Sequence, residues 1–181
     1  MKNIPNYLTL FRLFSIIPIL YILQGKTEHY WLAIILIIIA LVSDICDGWL
    51  ARKYNAASEF GAMLDSVTDK SLIYAILFSI MHFNIMLSWL IILLFIRDML
   101  TDGLRAIITR LHGCPPANIY GKLKFGLQIM VILVSLSGLY YEFDREKLKI
   151  INNILLGIAF LVSLAGAKVL WDYYRGSLKK T

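Results

Sequence analysis

Cysteine is scarce in this chain, and the two copies present exclude several kinds of site. Cys46 and Cys114 lie far apart and match no metal-binding or redox spacing, so we expect no disulfide. Internal repeats and low-complexity tracts are also absent from the sequence. The apolar run that follows Lys2 lacks a small-residue cleavage site, so we expect a retained membrane span rather than a signal peptide.

Hydrophobic side chains, by contrast, make up 59% of the 181 residues, and the mean hydropathy is +0.72. Soluble domains are typically about 45–50% apolar, so the composition indicates an all-α integral membrane protein. The length suits one domain over residues 1–181, made of short, closely connected spans. The net charge of +6 fits orientation in the membrane and contact with anionic membrane lipids, and nucleic acid is not an expected partner.

Six apolar stretches approach the length of about 20 residues that a helix needs to cross a bilayer. The sequence therefore predicts six transmembrane helices, over Tyr7–Leu23, Trp31–Asp47, Met63–Phe83, Met86–Ile108, Leu123–Tyr141 and Ile151–Trp171. Charged residues enter the second and fourth of these spans, at Asp44, Arg97, Asp98 and Asp102.

Basic residues indicate the orientation, because cytoplasmic segments are enriched in lysine and arginine. With the N-terminus inside, the inner segments hold Lys2, Arg52, Lys53, Arg110, Lys122, Lys124, Arg175, Lys179 and Lys180. The outer loops hold Lys26, Arg145, Lys147 and Lys149. The mixed-charge stretch YYEFDREKLK is expected to be a solvated outer loop. Both termini are thus expected in the cytoplasm.

Four aspartates border the second and third spans, at Asp44, Asp47, Asp65 and Asp69. One charged side chain costs roughly 2.5–3.5 kcal/mol at the centre of a membrane helix, so four together need compensation. Spacings of three and four residues place each pair on one helix face, and a helical hairpin would bring the pairs together. Such an all-carboxylate set favours Mg²⁺ or Mn²⁺ at the cytoplasmic interface.

The alternative is that these acids pair with Arg52, Lys53 and Lys70 and cap two helices. A single aspartate such as Asp65, near a helix start, suits that role. Four aspartates at helical spacing on facing helix ends favour the metal site instead.

The same stretch resembles a known family. It reads Asp44-x2-Asp47-Gly48-x2-Ala51-Arg52-x8-Gly61-x3-Asp65-x3-Asp69, which is similar to the full signature of the CDP-alcohol phosphotransferases. The resemblance implies a six-helix membrane enzyme that forms a homodimer. Such an enzyme transfers the phosphatidyl group of a CDP-linked lipid to an alcohol and releases CMP.

The resemblance also implies roles for individual residues. Ligands of two Mg²⁺ or Mn²⁺ ions would be Asp44, Asp47, Asp65 and Asp69. Asp69 would in addition act as general base on the acceptor hydroxyl. Contacts to the CDP part of the lipid would come from Gly48, Arg52 and Ser58. The chemistry is consistent, because two metal ions can clamp the attacking and leaving oxygens while a carboxylate takes the proton.

The N-terminal stretch IPNYLTLFR is similar to the start of the phosphatidylglycerophosphate synthases, a bacterial branch of this family. The matching polar positions are Asn6, Thr9 and Arg12. Thr9 and Arg12 are three residues apart on one helix face, so they can point together at a lipid pyrophosphate. We therefore count Asn6 and Thr9 among the contacts to the CDP-lipid. The alternative is that Arg12 snorkels to the membrane surface and Asn6 caps the helix.

Basic residues of the fourth and fifth spans make a candidate site for an anionic acceptor, and we call Arg97, Arg105, Arg110, Lys122 and Lys124 the acceptor cluster. They resemble the arginine pair and lysine motif of the same branch, whose acceptor is sn-glycerol 3-phosphate. Asp98 stands where that pattern has glutamate, and we expect it to pair with an arginine. Phe125 stands where the pattern has threonine. Alternatives are a salt bridge of Arg97 to Asp98 or Asp102 and interfacial anchoring by the lysines.

The leading prediction is transfer of the phosphatidyl group from CDP-diacylglycerol to sn-glycerol 3-phosphate in the inner (plasma) membrane of a bacterium. The main alternative is a sister enzyme that uses serine, inositol phosphate or phosphatidylglycerol. A neutral acceptor would not need the acceptor cluster. A cation transporter or membrane scaffold is the third hypothesis, but transport sites typically lie near the bilayer midplane, whereas these acids lie at one interface.

Overall fold

The computed structural model describes the backbone of residues 4–25, 29–53, 59–113, 115 and 118–178 and the side chains of residues 12–25, 29–43, 67–111, 113, 115 and 118–176. The described backbone forms six α-helices and no strand, which confirms the predicted all-α class. The helices are α1 (Ile4–Gln24), α2 (Tyr30–Lys53), α3 (Glu59–Met81), α4 (Ser88–His112), α5 (Ile119–Tyr140) and α6 (Arg145–Leu178). Each overlaps one predicted span.

The helices follow from the apolar composition more than from intrinsic helix propensity. Helix α2 begins with YWLAIILIIIALV, in which isoleucine, a moderate helix former in water, is the commonest residue. Where water is excluded, every backbone N–H and C=O needs an internal partner, and a helix provides it within a single segment. Long apolar stretches therefore become helices.

The connection between α5 and α6 differs from its prediction. The stretch YYEFDREKLK is not a loop of that length, because only residues 141–144 separate the two helices. Arg145, Lys147 and Lys149 lie in the first turns of α6, which is 34 residues long. Helix α5 ends with the Phe143 N–H donating to the Gly138 carbonyl at 2.8 Å, across Glu142 at a φ of 53°. This tight end lets the next helix begin almost at once.

Packing divides the chain into two compact units. Unit 1 comprises Met1–Phe83 and Ile132–Asp144, and unit 2 comprises Asn84–Val131 and Arg145–Thr181. Within unit 1, α1 packs against both α2 and α3, and Ile19 and Ile76 are fully buried. Within unit 2, α4 packs against α6. The single domain over residues 1–181 stays a prediction.

Two asparagines of α6 hold the start of α4 within unit 2. The Asn152 side chain donates to the Ile85 carbonyl at 3.0 Å, and the Asn153 side chain accepts from the Leu87 N–H at 2.8 Å. Leu87 is the N-cap residue of α4 and has no side-chain oxygen with which to cap a helix. Amide groups from the neighbouring helix therefore fix the entry of the chain into α4.

Two helices of the described chain are long and apolar enough to cross a bilayer, over Ile119–Tyr140 and Arg145–Gly176. Large apolar side chains are exposed on their surfaces, and Leu161 of α6 is an example. Such surfaces suit contact with lipid. Helix α4 is less apolar because four charged residues, Arg97, Asp98, Asp102 and Arg105, lie within nine positions. Six membrane-spanning helices stay a prediction.

Candidate active site

The predicted metal ligands lie on two helices of unit 1. Asp44 and Asp47 belong to α2, and Asp65 and Asp69 belong to α3. The helical backbone continues through both pairs, so spacings of three and four residues place each pair on one helix face. The side chain of Asp69 is among those that the structure describes. The side chains of the other three aspartates lie outside the described residues.

The predicted contacts to the CDP-lipid also lie outside the described side chains. These residues are Asn6, Thr9, Gly48, Arg52 and Ser58. The backbone places the first two in α1 and places Gly48 and Arg52 in α2. Their assignment therefore stays a prediction.

Asp69 is held by an arginine from another helix. The Arg12 guanidinium donates through Nη1 to Oδ1 of Asp69, and the two residues form an ion pair between α1 and α3. Arg12 is 1% exposed, whereas the Asp69 side chain is 24% exposed. The interpretation that Arg12 snorkels to the membrane surface is therefore wrong. Because α1 packs against α3, the guanidinium is buried and needs an anion beside it.

The donor set of the predicted metal site fits a hard divalent cation. Among the described side chains, no three or more His, Cys, Asp or Glu residues gather into a group. Three of the four predicted ligands lie outside that part of the chain, so the chemistry of the donors decides the fit. All four are aspartates on two helices of one unit, and carboxylate oxygens are the ligands that Mg²⁺ and Mn²⁺ prefer.

A second charged group lies in unit 2, around Asp98 of α4. Lys124 of α5 donates to its Oδ2 at 2.5 Å, and Arg97 donates to its Oδ1 at 3.0 Å. The Asp98 side chain is 1% exposed, while those of Arg97 and Lys124 are 16% and 9% exposed. This contact confirms the expected pairing of Asp98 with an arginine. Two cations therefore meet on one buried acid.

The backbone of α6 also contacts Arg97. Its Nη2 donates to the Ser163 carbonyl of α6, and this contact fixes the guanidinium between α4 and α6. One turn further along α6, the Gly166 carbonyl accepts from Asn118 Nδ2 at 3.0 Å. The Asn118 Oδ1 in turn accepts from the Tyr120 N–H at 3.0 Å, which caps the start of α5.

A side chain larger than that of Gly166 would crowd this arrangement. A Cβ atom there would lie 3.1 Å from Asn118 Nδ2, 3.2 Å from Tyr120 Cβ and 3.6 Å from Arg97 Nη2. The start of α5, which carries the two lysines of the acceptor cluster, therefore packs directly on the α6 backbone.

The structure brings together only part of the acceptor cluster among the described side chains. Arg97 and Lys124 meet on Asp98. Arg105 is half-buried, and Arg110 and Lys122 are exposed. Lys122 and Lys124, two residues apart in one helix, thus lie in different surroundings because successive helical positions point in different directions.

Several residues of these two groups were not among the predicted site residues. Arg12 carried a signal, because an arginine within an apolar helix is a functional candidate by default. Asn118 also carried one, since asparagine is a preferred N-cap residue. The Ser163 carbonyl carried none, because any residue has a backbone carbonyl.

Comparison with known proteins identifies the family. The family model for CDP-alcohol phosphatidyltransferase matches residues 2–165. A Bacillus subtilis protein is 33% identical over 188 positions, which cover 96% of this chain and 94% of that protein. A Rickettsia typhi protein is 32% identical and covers 92% of this chain and 94% of its own length. A Mycoplasma pneumoniae protein is 27% identical, and the match covers 99% of this chain and 89% of that protein.

Each of these three relatives is named CDP-diacylglycerol–glycerol-3-phosphate 3-phosphatidyltransferase. The family model covers most of the 181 residues, including all four aspartates of the signature. The chain therefore belongs to the CDP-alcohol phosphatidyltransferase family.

Proposed function

We propose that this protein transfers the phosphatidyl group of CDP-diacylglycerol to sn-glycerol 3-phosphate and forms phosphatidylglycerol phosphate and CMP. The observation that carries the proposal is the similarity, over nearly the whole chain, to relatives whose names give this donor and this acceptor. The complete aspartate signature supports the CDP-linked donor. The two cations that meet on Asp98 support an anionic acceptor.

The donor is assigned to the aspartates of unit 1. Asp44, Asp47 and Asp65, together with Asp69, would hold two divalent ions, with Mg²⁺ or Mn²⁺ as the expected metal. When bound, such ions neutralise the charge that develops on the attacking and leaving oxygens of phosphoryl transfer. The CDP part of the lipid would contact Asn6, Thr9, Gly48, Arg52 and Ser58. Among these, the Arg52 guanidinium suits a pair of phosphate oxygens.

Asp69 would act as the general base. The acceptor hydroxyl gives its proton to the carboxylate while its oxygen forms a bond to the lipid-side phosphorus of the pyrophosphate. The bond from that phosphorus to the CMP oxygen breaks, and CMP leaves with the electron pair. The 24% exposure of the Asp69 side chain supports this role, because a base must be accessible to the proton that it takes.

The phosphate of the acceptor is assigned to the acceptor cluster. Arg97 and Lys124 both contact one buried acid, Asp98, so two cations lie close together at this point. Arg105, Arg110 and Lys122 would add to the positive field. A charged hydrogen bond is worth about 1.5–3 kcal/mol, so two or three of them can select a phosphate over a hydroxyl.

Phe125 is the residue that favours the alternative function, a sister enzyme with another acceptor. The similar motif has threonine at that position, and phenylalanine has no hydroxyl to offer an acceptor. Serine, inositol phosphate and phosphatidylglycerol are the acceptors that such an enzyme would use. Their charges differ, so the basic residues discriminate among them.

We further propose that the protein is a multi-pass protein of a bacterial inner membrane, with six spans, both termini in the cytoplasm and the active site at the cytoplasmic interface. Helix lengths support the spans, since α1, the shortest helix among the described residues, has 21. Helix α6, at 34 residues, is about 51 Å long, which exceeds the full bilayer thickness of about 40–45 Å. A single domain, which the chain length suits, and a homodimer, which the family resemblance implies, complete the proposal.

The test is an acceptor competition with purified protein and CDP-diacylglycerol. We expect glycerol 3-phosphate to give phosphatidylglycerol phosphate and CMP in equal amounts, and to suppress product formation from serine, inositol phosphate and phosphatidylglycerol. Free glycerol should be a poor substitute because it lacks the phosphate. Preference for a neutral or zwitterionic acceptor would overturn the acceptor assignment. Release of CMP with any alcohol would still support phosphatidyl transfer from CDP-diacylglycerol.

A further inference from the structure

Arg12 and Asp98 are the two most deeply buried of the described charged side chains. Arg12 is 1% exposed and lies on α1, a helix outside the aspartate signature. A buried charge is expensive unless it is paired and hydrogen-bonded, so a packing role alone would favour an apolar residue at this position. An arginine at this buried position therefore implies a negatively charged partner.

Asp69 is such a partner. The Arg12 Nη1 donates to Oδ1 of Asp69 across 57 positions of sequence, and α1 packs against α3 along this contact. On the arginine side, the backbone carbonyl of Arg12 accepts from Ser15 Oγ at 2.6 Å within α1. Both residues therefore belong to well-packed helices, and their relative position is set by helix packing.

The exposures of the two side chains differ in a way that indicates which one is the support. The Arg12 guanidinium is buried inside unit 1. The carboxylate of Asp69 is about a quarter exposed and faces accessible space. A planar guanidinium fixes the direction of the carboxylate that it binds, which a flexible ammonium group does less well.

We propose that Arg12 is a positioning residue for Asp69, and that its buried guanidinium holds the Asp69 carboxylate in the orientation that meets the acceptor hydroxyl. This proposal rests on the proposed function, in which Asp69 takes the proton of the acceptor. It adds a role for α1, which carries no aspartate of the signature. Orientation matters at this point because a displacement of about 1 Å at a reacting group can cost about a hundredfold in rate.

The test compares Arg12→Lys with the wild type. Lysine keeps the positive charge beside Asp69 but lacks the planar guanidinium, so we expect kcat to fall about ten- to a hundredfold. The KM values for CDP-diacylglycerol and for the acceptor should stay within about threefold, because Arg12 is assigned no contact with either substrate. Arg175→Lys, an exposed residue near the end of α6, is the matched control and should behave like the wild type.

A double-mutant cycle tests whether Arg12 acts through Asp69. In the Asp69→Asn background, Arg12→Lys should lower the residual rate by less than about threefold, because the group that it positions is already gone. Equal losses in both backgrounds would overturn the proposal.

Mn²⁺ binding to the purified protein, followed by electron paramagnetic resonance, gives a readout independent of turnover. Because Asp69 is also assigned to the metal site, Arg12→Lys should weaken Mn²⁺ binding no more than Asp69→Asn does, and its melting temperature should be similar to that of the wild type. A greater loss of Mn²⁺ affinity than in Asp69→Asn, or a protein that no longer melts cooperatively, would overturn the proposal, since Arg12 would then support the metal site or the fold beyond its contact with Asp69. Normal kcat in Arg12→Lys would overturn it as well.

The same experiment separates this proposal from the proposed function. If the wild type releases no CMP from CDP-diacylglycerol with any acceptor, the proposed function fails. If the wild type is active with whichever acceptor it prefers and Arg12→Lys is equally active, only the role of Arg12 fails.

Discussion

The two charged groups of this protein use the same residue types in opposite ways. In unit 1 the cation is buried and the acid is accessible, since Arg12 is 1% exposed and the Asp69 side chain 24%. In unit 2 the acid is buried, with the Asp98 side chain at 1%, and both cations are more accessible than the acid. The buried member of each group is best suited to support, and the accessible member is best suited to meet a substrate.

This contrast assigns different chemistry to the two groups. An accessible carboxylate can take a proton or join a metal site, whereas cations that are more exposed than their acid can bind a phosphate. A buried partner keeps each group in place, because removing it would leave the other charge uncompensated. A carboxylate in a membrane protein is therefore better interpreted by its exposure and its partner than by its presence alone.

Removal of divalent metal should have the largest effect and should act through the aspartates of unit 1. With EDTA present, we expect CMP release from CDP-diacylglycerol to vanish. Mg²⁺ or Mn²⁺ should restore it, while Ca²⁺ should not, because Ca²⁺ prefers longer ligand distances and a looser geometry. Radiolabelled CMP release measures the effect.

Binding of glycerol 3-phosphate is the control for this experiment, because we assign it to basic residues of unit 2. Isothermal titration in EDTA should still detect it. Full turnover in EDTA would show that the aspartates hold no essential metal.

Asp69→Asn should have the next largest effect. Asparagine keeps the shape of the side chain but cannot take a proton, and general-base catalysis is typically worth about 10²–10⁴-fold. We expect kcat to fall by that factor while the KM for glycerol 3-phosphate changes little. Asp172→Asn, an exposed acid on α6, serves as the control. A variant with near-normal turnover would assign Asp69 a structural role and break the contrast between the two groups.

Lys124→Ala and Lys122→Ala compare the lysine that contacts Asp98 with an exposed neighbour in the same helix. Lys124 contacts the buried Asp98, so its loss should raise the KM for glycerol 3-phosphate about ten- to a hundredfold. Lys122 is exposed, and exposed charges are worth about 0–1 kcal/mol, so its loss should cost at most about fivefold. Steady-state kinetics at saturating CDP-diacylglycerol separate the two variants. Equal increases in KM for the two variants would mean that contact with Asp98 does not determine which lysine binds the acceptor.

Gly166→Ala should have the smallest effect, and Gly157→Ala is its matched control in the same helix. The added Cβ at 166 would meet Asn118 and Tyr120 at 3.1 and 3.2 Å, whereas nothing lies within 4 Å at 157. Overpacking typically costs about 1–3 kcal/mol, so Gly166→Ala should lower the melting temperature and raise the KM for glycerol 3-phosphate a few-fold. Gly157→Ala should be neutral or slightly stabilising. A neutral Gly166→Ala would show that the start of α5 yields without loss.

Much of the fold was predictable because it depends on local sequence. Each of the six helices overlaps a predicted span, since a long apolar stretch has few ways to satisfy its backbone other than a helix. The start of α6 was not predicted, because charged residues were interpreted as a loop. A helix accepts such residues in a solvated turn, and Glu146 in the first turn also suits the positive end of the helix dipole.

The candidate site was predictable to a different degree in the two units. Spacing alone placed the aspartate pairs on helix faces, and the pairing of Asp98 with an arginine was expected and found. Spacing did not predict the contact of Arg12 with Asp69. Nor did it predict that Lys124 is buried while Lys122, one of the same five basic residues, is exposed.

By itself, the sequence determined the helical class, the number of helices in the described chain and the chemical character of the two charged groups. Hydropathy and helical spacing are properties of neighbouring residues, so each segment of the sequence can be interpreted by itself. Only the tertiary structure decided which member of each group is buried and which partner it meets. Those partners are 57 positions apart for Arg12 and Asp69 and 26 for Asp98 and Lys124. These partners come together only when the helices pack. The same packing removes water from one charged group and leaves the other group partly hydrated.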